Sequence, residues 1–204
     1  MISLEFLVTS LIVVLIPGTG VVYTVSTGLI QGRKASIYAA LGCTLGIIPH
    51  LLATVLGLAA LMHTSAMAFQ VLKYAGVAYL FYVAWATWKD QSAFAVDESV
   101  AKTPASSLVI KAFLMNILNP KLTIFFLAFL PQFADPAIGP VGPQIFVFGA
   151  VFILAAFLVF GAIALFSGAF GNLLLRSPRA QYWLNKITAV VFVGLAVKLA
   201  TAQR

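Results

Sequence analysis

Apolar residues gather into long runs along this chain, and polar residues collect in the gaps between them. A helix needs about 20 predominantly apolar residues to cross a hydrocarbon core of roughly 30 Å. Six stretches meet that length, at about 3–27, 37–62, 67–88, 107–131, 144–170 and 183–201. The pattern predicts an all-α integral membrane protein with six transmembrane helices, a single transmembrane domain over 1–204 with little chain outside the bilayer. The first stretch starts almost at Met1, has no Lys or Arg before it and lacks a small-residue cleavage pattern, so it is expected to be a retained span.

Two of the six stretches are interrupted. Pro17-Gly18-Thr19-Gly20 lies deep inside the first, where a proline and two glycines oppose a continuous helix. The fourth carries Asn116-Ile117-Leu118-Asn119-Pro120-Lys121 at a similar depth. Asn119 followed by Pro120 reads as an N-cap with proline at the first helical position, so a new half-helix is expected to start there. Thr19 is the candidate cap for the other restart.

Dividing the chain at the polar linker near 89–106 leaves halves of about 1–88 and 107–204, each with three spans and each opening on its interrupted helix. Because three is odd, the halves would be inverted repeats with discontinuous helices 1 and 4. Paired, broken hydrophobic segments in corresponding places are the sequence pointer to a transport site near the bilayer midplane. The restarted helices would turn free N–H groups and partial positive charge toward the centre, which suits an anionic group. The carbonyl ends of the preceding half-helices, with the oxygens of Asn116, Asn119 and Thr19, suit an ammonium. The complementary ligand is a zwitterionic amino acid. The structural alternative is that Pro and Gly only kink two helices whose neighbours satisfy the backbone.

Composition supports the membrane reading: 62% of residues are hydrophobic and 8% charged, against roughly 25% charged in ordinary soluble domains. A net charge of +7 does not mark a nucleic-acid surface, because Arg33, Lys34, Lys89, Lys102, Arg176 and Arg179 fall in short connectors. The connectors near 63–66 and 131–143 carry no Lys or Arg. This alternation follows the positive-inside rule and predicts a cytoplasmic linker with both termini on the periplasmic side of a bacterial inner membrane, although Lys198 and Arg204 run against it.

Few polar side chains interrupt the spans. Lys121 lies near the middle of the fourth, where a charged side chain costs about 2.5–3.5 kcal/mol on insertion scales. It could pair with a substrate carboxylate or exchange a proton, the alternative being a side chain that snorkels to the interface. Lys73, nearer the end of its span, and His50, after Pro49, are candidates for coupling or gating, with snorkelling and hydrogen-bonded packing as their structural readings. Glu5 lies at the edge of the first span, and Asp90, Asp97, Glu98 and Asp135 in connectors, so no carboxylate is expected deep in a span. Lone Cys43 is expected to pack. Tyr74, Tyr79, Tyr82, Trp85 and Trp88 read as anchors or packing in the third span. One cysteine and two separated histidines form no dithiol, metal site or triad, which speaks against an enzyme and leaves no metal or cofactor implied.

At these same residues the chain resembles the LysE/RhtB family of amino-acid exporters, and its homoserine and threonine branch in particular. The matching pieces are Pro17-Gly18-Thr19-Gly20, Gly42 to Gly46, Leu72-Lys73-Tyr74-Ala75-Gly76 with Tyr79-Leu80, Asn116 with Asn119-Pro120-Lys121, and Pro131-Gln132-Phe133. The resemblance implies export of amino acids or derivatives such as homoserine, threonine or homoserine lactone, by exchange with protons and without ATP. Many members read Pro-Gly-Pro followed by an acid at the first break, where this chain has Thr19 and Gly20-Val21. Leucine, cysteine-related or basic amino acids stay open as substrates, as does a passive pore. Small-molecule substrate and membrane lipid are the partners expected.

Overall fold

A computed structural model describes residues 2–64, 66–89, 103–169, 171 and 177–201. In order, the elements are α1 (Leu4–Leu15), α2 (Thr19–Gln31), α3 (Arg33–Leu45), α4 (Ile48–Thr64), α5 (Ala66–Lys89), α6 (Ala105–Ile117) and α7 (Pro120–Ile124). A π-helical turn (Phe125–Phe129) and a 3-10 turn (Leu130–Phe133) follow, then α8 (Val141–Leu165) and α9 (Pro178–Thr201). Linker residues Asp90, Asp97, Glu98 and Lys102, with Arg176 and Arg204, lie outside the described residues.

Each apolar stretch corresponds to a helix or a pair of helices. Several helices begin earlier than hydropathy suggests, α3 at Arg33 and α9 at Pro178, because backbone hydrogen bonding continues into the interface where the apolar signal stops. Both expected breaks are present: α1 and α2 meet at 53°, and α6 and the segment Pro120–Phe133 at 50°. Among the described residues, Arg33–Gly57, Val141–Leu165 and Pro178–Thr201 are each long and apolar enough to span a membrane, and the bent pairs bring the number to five. α5, the remaining stretch, is 24 residues long but is diluted by Gln70, Lys73 and its Tyr and Trp residues.

A third interruption was not expected. α3 ends at Leu45 and α4 resumes at Ile48, with the Ile47 N–H turned to the Thr44 carbonyl at 3.1 Å. Pro49, which has no N–H to offer Leu45, explains why the ladder cannot run through.

Helices in lipid gain little from hydrophobic transfer and associate through close packing, which favours small residues at contacts. Gly42 and Gly46 do this between α3 and α6. A Cβ on Gly42 would sit 2.3 Å from the Val109 carbonyl oxygen, and one on Gly46 would sit 2.7 Å from the Phe113 oxygen. Around this contact α2, α3, α4, α6 and α8 form one bundle, with α1 laid against α8. Phe125, Phe126 and Phe152 fill its centre, with ring centroids 4.7 Å apart for Phe125 and Phe152. α5 packs instead along α9 and meets the bundle chiefly at α4 and the π turn. The two sequence halves therefore do not pack as separate bodies. Helices from both build the bundle, and the third span of each builds the α5–α9 pair.

Candidate functional site

Each proline in the two expected breaks removes the N–H that would have bonded the carbonyl four residues earlier. For Pro17 that carbonyl is Val13, and for Pro120 it is Asn116. Within a bilayer such groups must find other donors, and both do. The Lys121 ammonium donates to the Val13 oxygen at 3.0 Å and to the Ile16 oxygen at 3.1 Å. The Asn116 oxygen takes the Asn119 N–H at 3.1 Å and lies 3.0 Å from His50 Nε2. A carbonyl only accepts, so His50 carries its proton on Nε2. The side chain of Asn116 completes the network, its Nδ2 donating to the Cys43 carbonyl, which Ile47 has left free by turning to Thr44.

At the second restart the Asn119 side chain accepts from the Lys121 N–H at 3.0 Å, with Pro120 at the first helical position. The α-helical segment is only five residues long before the π turn, so its dipole is short. At the first restart the cap position belongs to Gly18, in extended conformation and without a side-chain bond, and Thr19 is the first helical residue. Thr19 is thus not the cap: Gly18, in extended conformation, holds that position, and Thr19 is exposed on the first helical turn.

The two breaks face a cavity of about 480 Å³. Pro17, Gly18 and Thr19 line it from the first break, and Leu118, Asn119, Pro120 and Lys121 from the second. The opposite wall is the α5–α9 pair, through Tyr79, Val83, Thr87, Thr188 and Phe192. The cavity runs toward the end of α5 that carries Lys89. There α9 lies antiparallel, the Lys186 ammonium donating to the Trp88 carbonyl at 2.7 Å. On the other side of the breaks the pair closes onto the bundle: Val13, Leu80, Phe125, Phe192 and Leu195 leave a gap of about 10 Å³, room for one water at most. Beyond it Lys198 pairs with Glu5 and lies 5.0 Å from the Phe133 ring centroid, next to the Phe6–Phe133 contact at 5.2 Å.

Not every residue singled out in the sequence reaches this space. Gly20 and Asn116 sit behind the breaks, a Cβ on Gly20 meeting Asn116 Oδ1 and Cys43 Sγ at 3.1 Å each; a space of about 20 Å³ separates them from Lys121. His50 and Lys73 do not line the large cavity. Lys73 is buried, with its ammonium 5.1 Å from the Tyr74 ring centroid, whereas Lys186, its counterpart in the second half, is half-buried. Sequence reasoning passed over Thr87, Thr188 and Phe192, read Tyr79 only as an anchor or packing residue, and placed Glu5 at the wet edge of the first span. Lys111, also passed over, is exposed at the middle of α6 with its ammonium 5.3 Å from the Tyr23 ring centroid.

A model of the LysE type translocator family matches residues 11–203. The chain belongs to this family. It is therefore a multi-pass transporter and not an enzyme. An uncharacterized membrane protein of Vibrio cholerae is 33% identical to this translocator over 201 residues, 98% of this chain and 97% of that protein. A homoserine/homoserine lactone efflux protein of Salmonella typhimurium is 29% identical over 97% of this chain and 95% of its own length. A leucine efflux protein of Klebsiella pneumoniae is 28% identical over 98% and 95%. No solved structure matches the translocator at a significant level.

Proposed function

We propose that this translocator exports a neutral amino acid or a close derivative, of the homoserine, threonine or leucine kind, across the bacterial inner membrane, driven by exchange with protons. The observation that carries the reading is the cavity at which both broken helices meet a separate helix pair. A substrate carboxylate fits beside the Lys121 ammonium and the first N–H groups of α2. The efflux relatives favour an amino acid as the solute, and the resemblance at the breaks favours proton exchange.

Alternating access follows from the packing. The α5–α9 pair stands away from the bundle at the Lys89 end and is latched to it at the Glu5–Lys198 end, so swinging the pair would close one side and open the other. Arg33, Lys34, Lys89 and Arg179 lie at the open end, which the positive-inside rule assigns to the cytoplasm, with both termini periplasmic. The cavity then loads from the cell interior, as export requires. A passive pore is disfavoured by the tight gap above the breaks.

Inside-out vesicles test this with labelled homoserine, threonine, leucine and lysine under an imposed proton gradient. Uptake of at least one neutral compound, lost when the gradient is collapsed, is the expected result. Equal entry with and without the gradient would make the protein a pore, and no uptake of any neutral compound would remove the amino-acid reading.

A further inference from the structure

Threonines inside helices commonly donate their hydroxyl to the carbonyl four residues back, and four buried ones do so here. Thr24, Thr27, Thr44 and Thr54 make that bond at 2.7–2.9 Å. Thr188 does not. It is 5% exposed, lines the 480 Å³ cavity, and makes no hydrogen bond among the described residues. Its hydroxyl is accessible from the cavity, where water or a ligand oxygen can bond it, and a ligand that displaces the water without replacing its hydrogen bond loses affinity. Thr87 and Tyr79, on the facing helix of the same pair, line the same wall and are likewise without a hydrogen bond among the described residues. Between them stand Val83 and Phe192.

We propose that this wall is the subsite for the substrate side chain and that Thr188 is its specificity-determining residue, taking a side-chain oxygen of a neutral amino acid. The inference rests on the reading above, in which the carboxylate sits at Lys121 across the cavity. A polar group in a mostly apolar pocket discriminates strongly, because a ligand lacking the matching oxygen leaves the hydroxyl dry and unpaired. Val83 and Phe192 limit the remainder of the side chain to a short aliphatic stem. Thr87 extends the same wall toward the open end, while Tyr79 lies one turn to the other side of Val83, next to Leu80 of the closed gap; a longer or cyclic oxygen-bearing substituent would reach one or the other.

The test is competition between homoserine and leucine for uptake into inside-out vesicles, with wild type, Thr188→Val and Thr188→Ser. Valine matches the shape of threonine and suits the apolar surroundings, and leucine uptake reports on folding in the same vesicles. The expected result is a fall of about three- to tenfold in the homoserine-to-leucine ratio for Thr188→Val, with the ratio restored in Thr188→Ser. An unchanged ratio, or an equal loss of both substrates, overturns the role of Thr188 while leaving amino-acid export standing. Wild-type vesicles that take up neither compound overturn the reading on which this one rests.

Discussion

Lys121 joins the two breaks through one side chain. Its ammonium holds the carbonyl that Pro17 orphaned, while its own N–H is held by Asn119. Placed at the C-terminal end of α1, the cation also complements the partial negative charge there, which offsets part of the cost of carrying it into the membrane. Lys121→Ala removes two charge-assisted hydrogen bonds and the positive group facing the cavity. Export measured in vesicles should fall by about 10- to 100-fold, with Lys121→Arg retaining part of it because its planar fork keeps the charge but not the geometry. Full activity in both variants would take Lys121 out of the mechanism. The sequence marked this residue by its depth in a span. It did not name the partner, because any cavity-facing or backbone acceptor within reach of a four-carbon stem would serve.

At the level of elements, proline explains where the helices stop. The position of each orphaned carbonyl, Val13 and Asn116, follows from counting back four residues, so the need for a donor was legible even though the donor was not. The cap at Asn119 was legible for the same reason, being a contact between near neighbours in the chain. The cap at Gly18 was not, since threonine is the better side-chain cap and only the extended backbone decides against it. Asn119-Pro120→Ala-Ala restores the missing N–H and a good helix former at both positions, so α6 should run on through the break. The expected outcome is loss of export with ordinary membrane expression. Wild-type transport by this variant would mean that the break is not needed.

Across the whole molecule the informative feature is an asymmetry, open on one side of the breaks and latched on the other. An exposed pair such as Glu5–Lys198 contributes only about 0–1 kcal/mol, so it biases the closed end and does not lock it. Bridging the two positions covalently would. In Glu5→Cys with Lys198→Cys, a short bis-maleimide should stop export that the unbridged double variant still performs; buried Cys43 is shielded from the reagent. Continued export at the full rate after bridging would show that this end need not open.

Chain-local physics was enough to place the helices, their two principal breaks and their basic ends. Transfer of apolar runs into lipid, the missing N–H of proline and the distribution of Lys and Arg all act over neighbouring residues and leave a contiguous trace. Which helix lies against which was decided only in three dimensions. In a bilayer the lipid-facing and helix-facing sides of a span are both apolar, so no hydropathy pattern separates Leu56, which is 71% exposed, from Leu80, which is 5% exposed. The partnership of α5 with α9, the cavity it leaves beside the breaks, and the uncommitted hydroxyl of Thr188 arise from that packing, where contact distance and not hydrophobicity selects the neighbour.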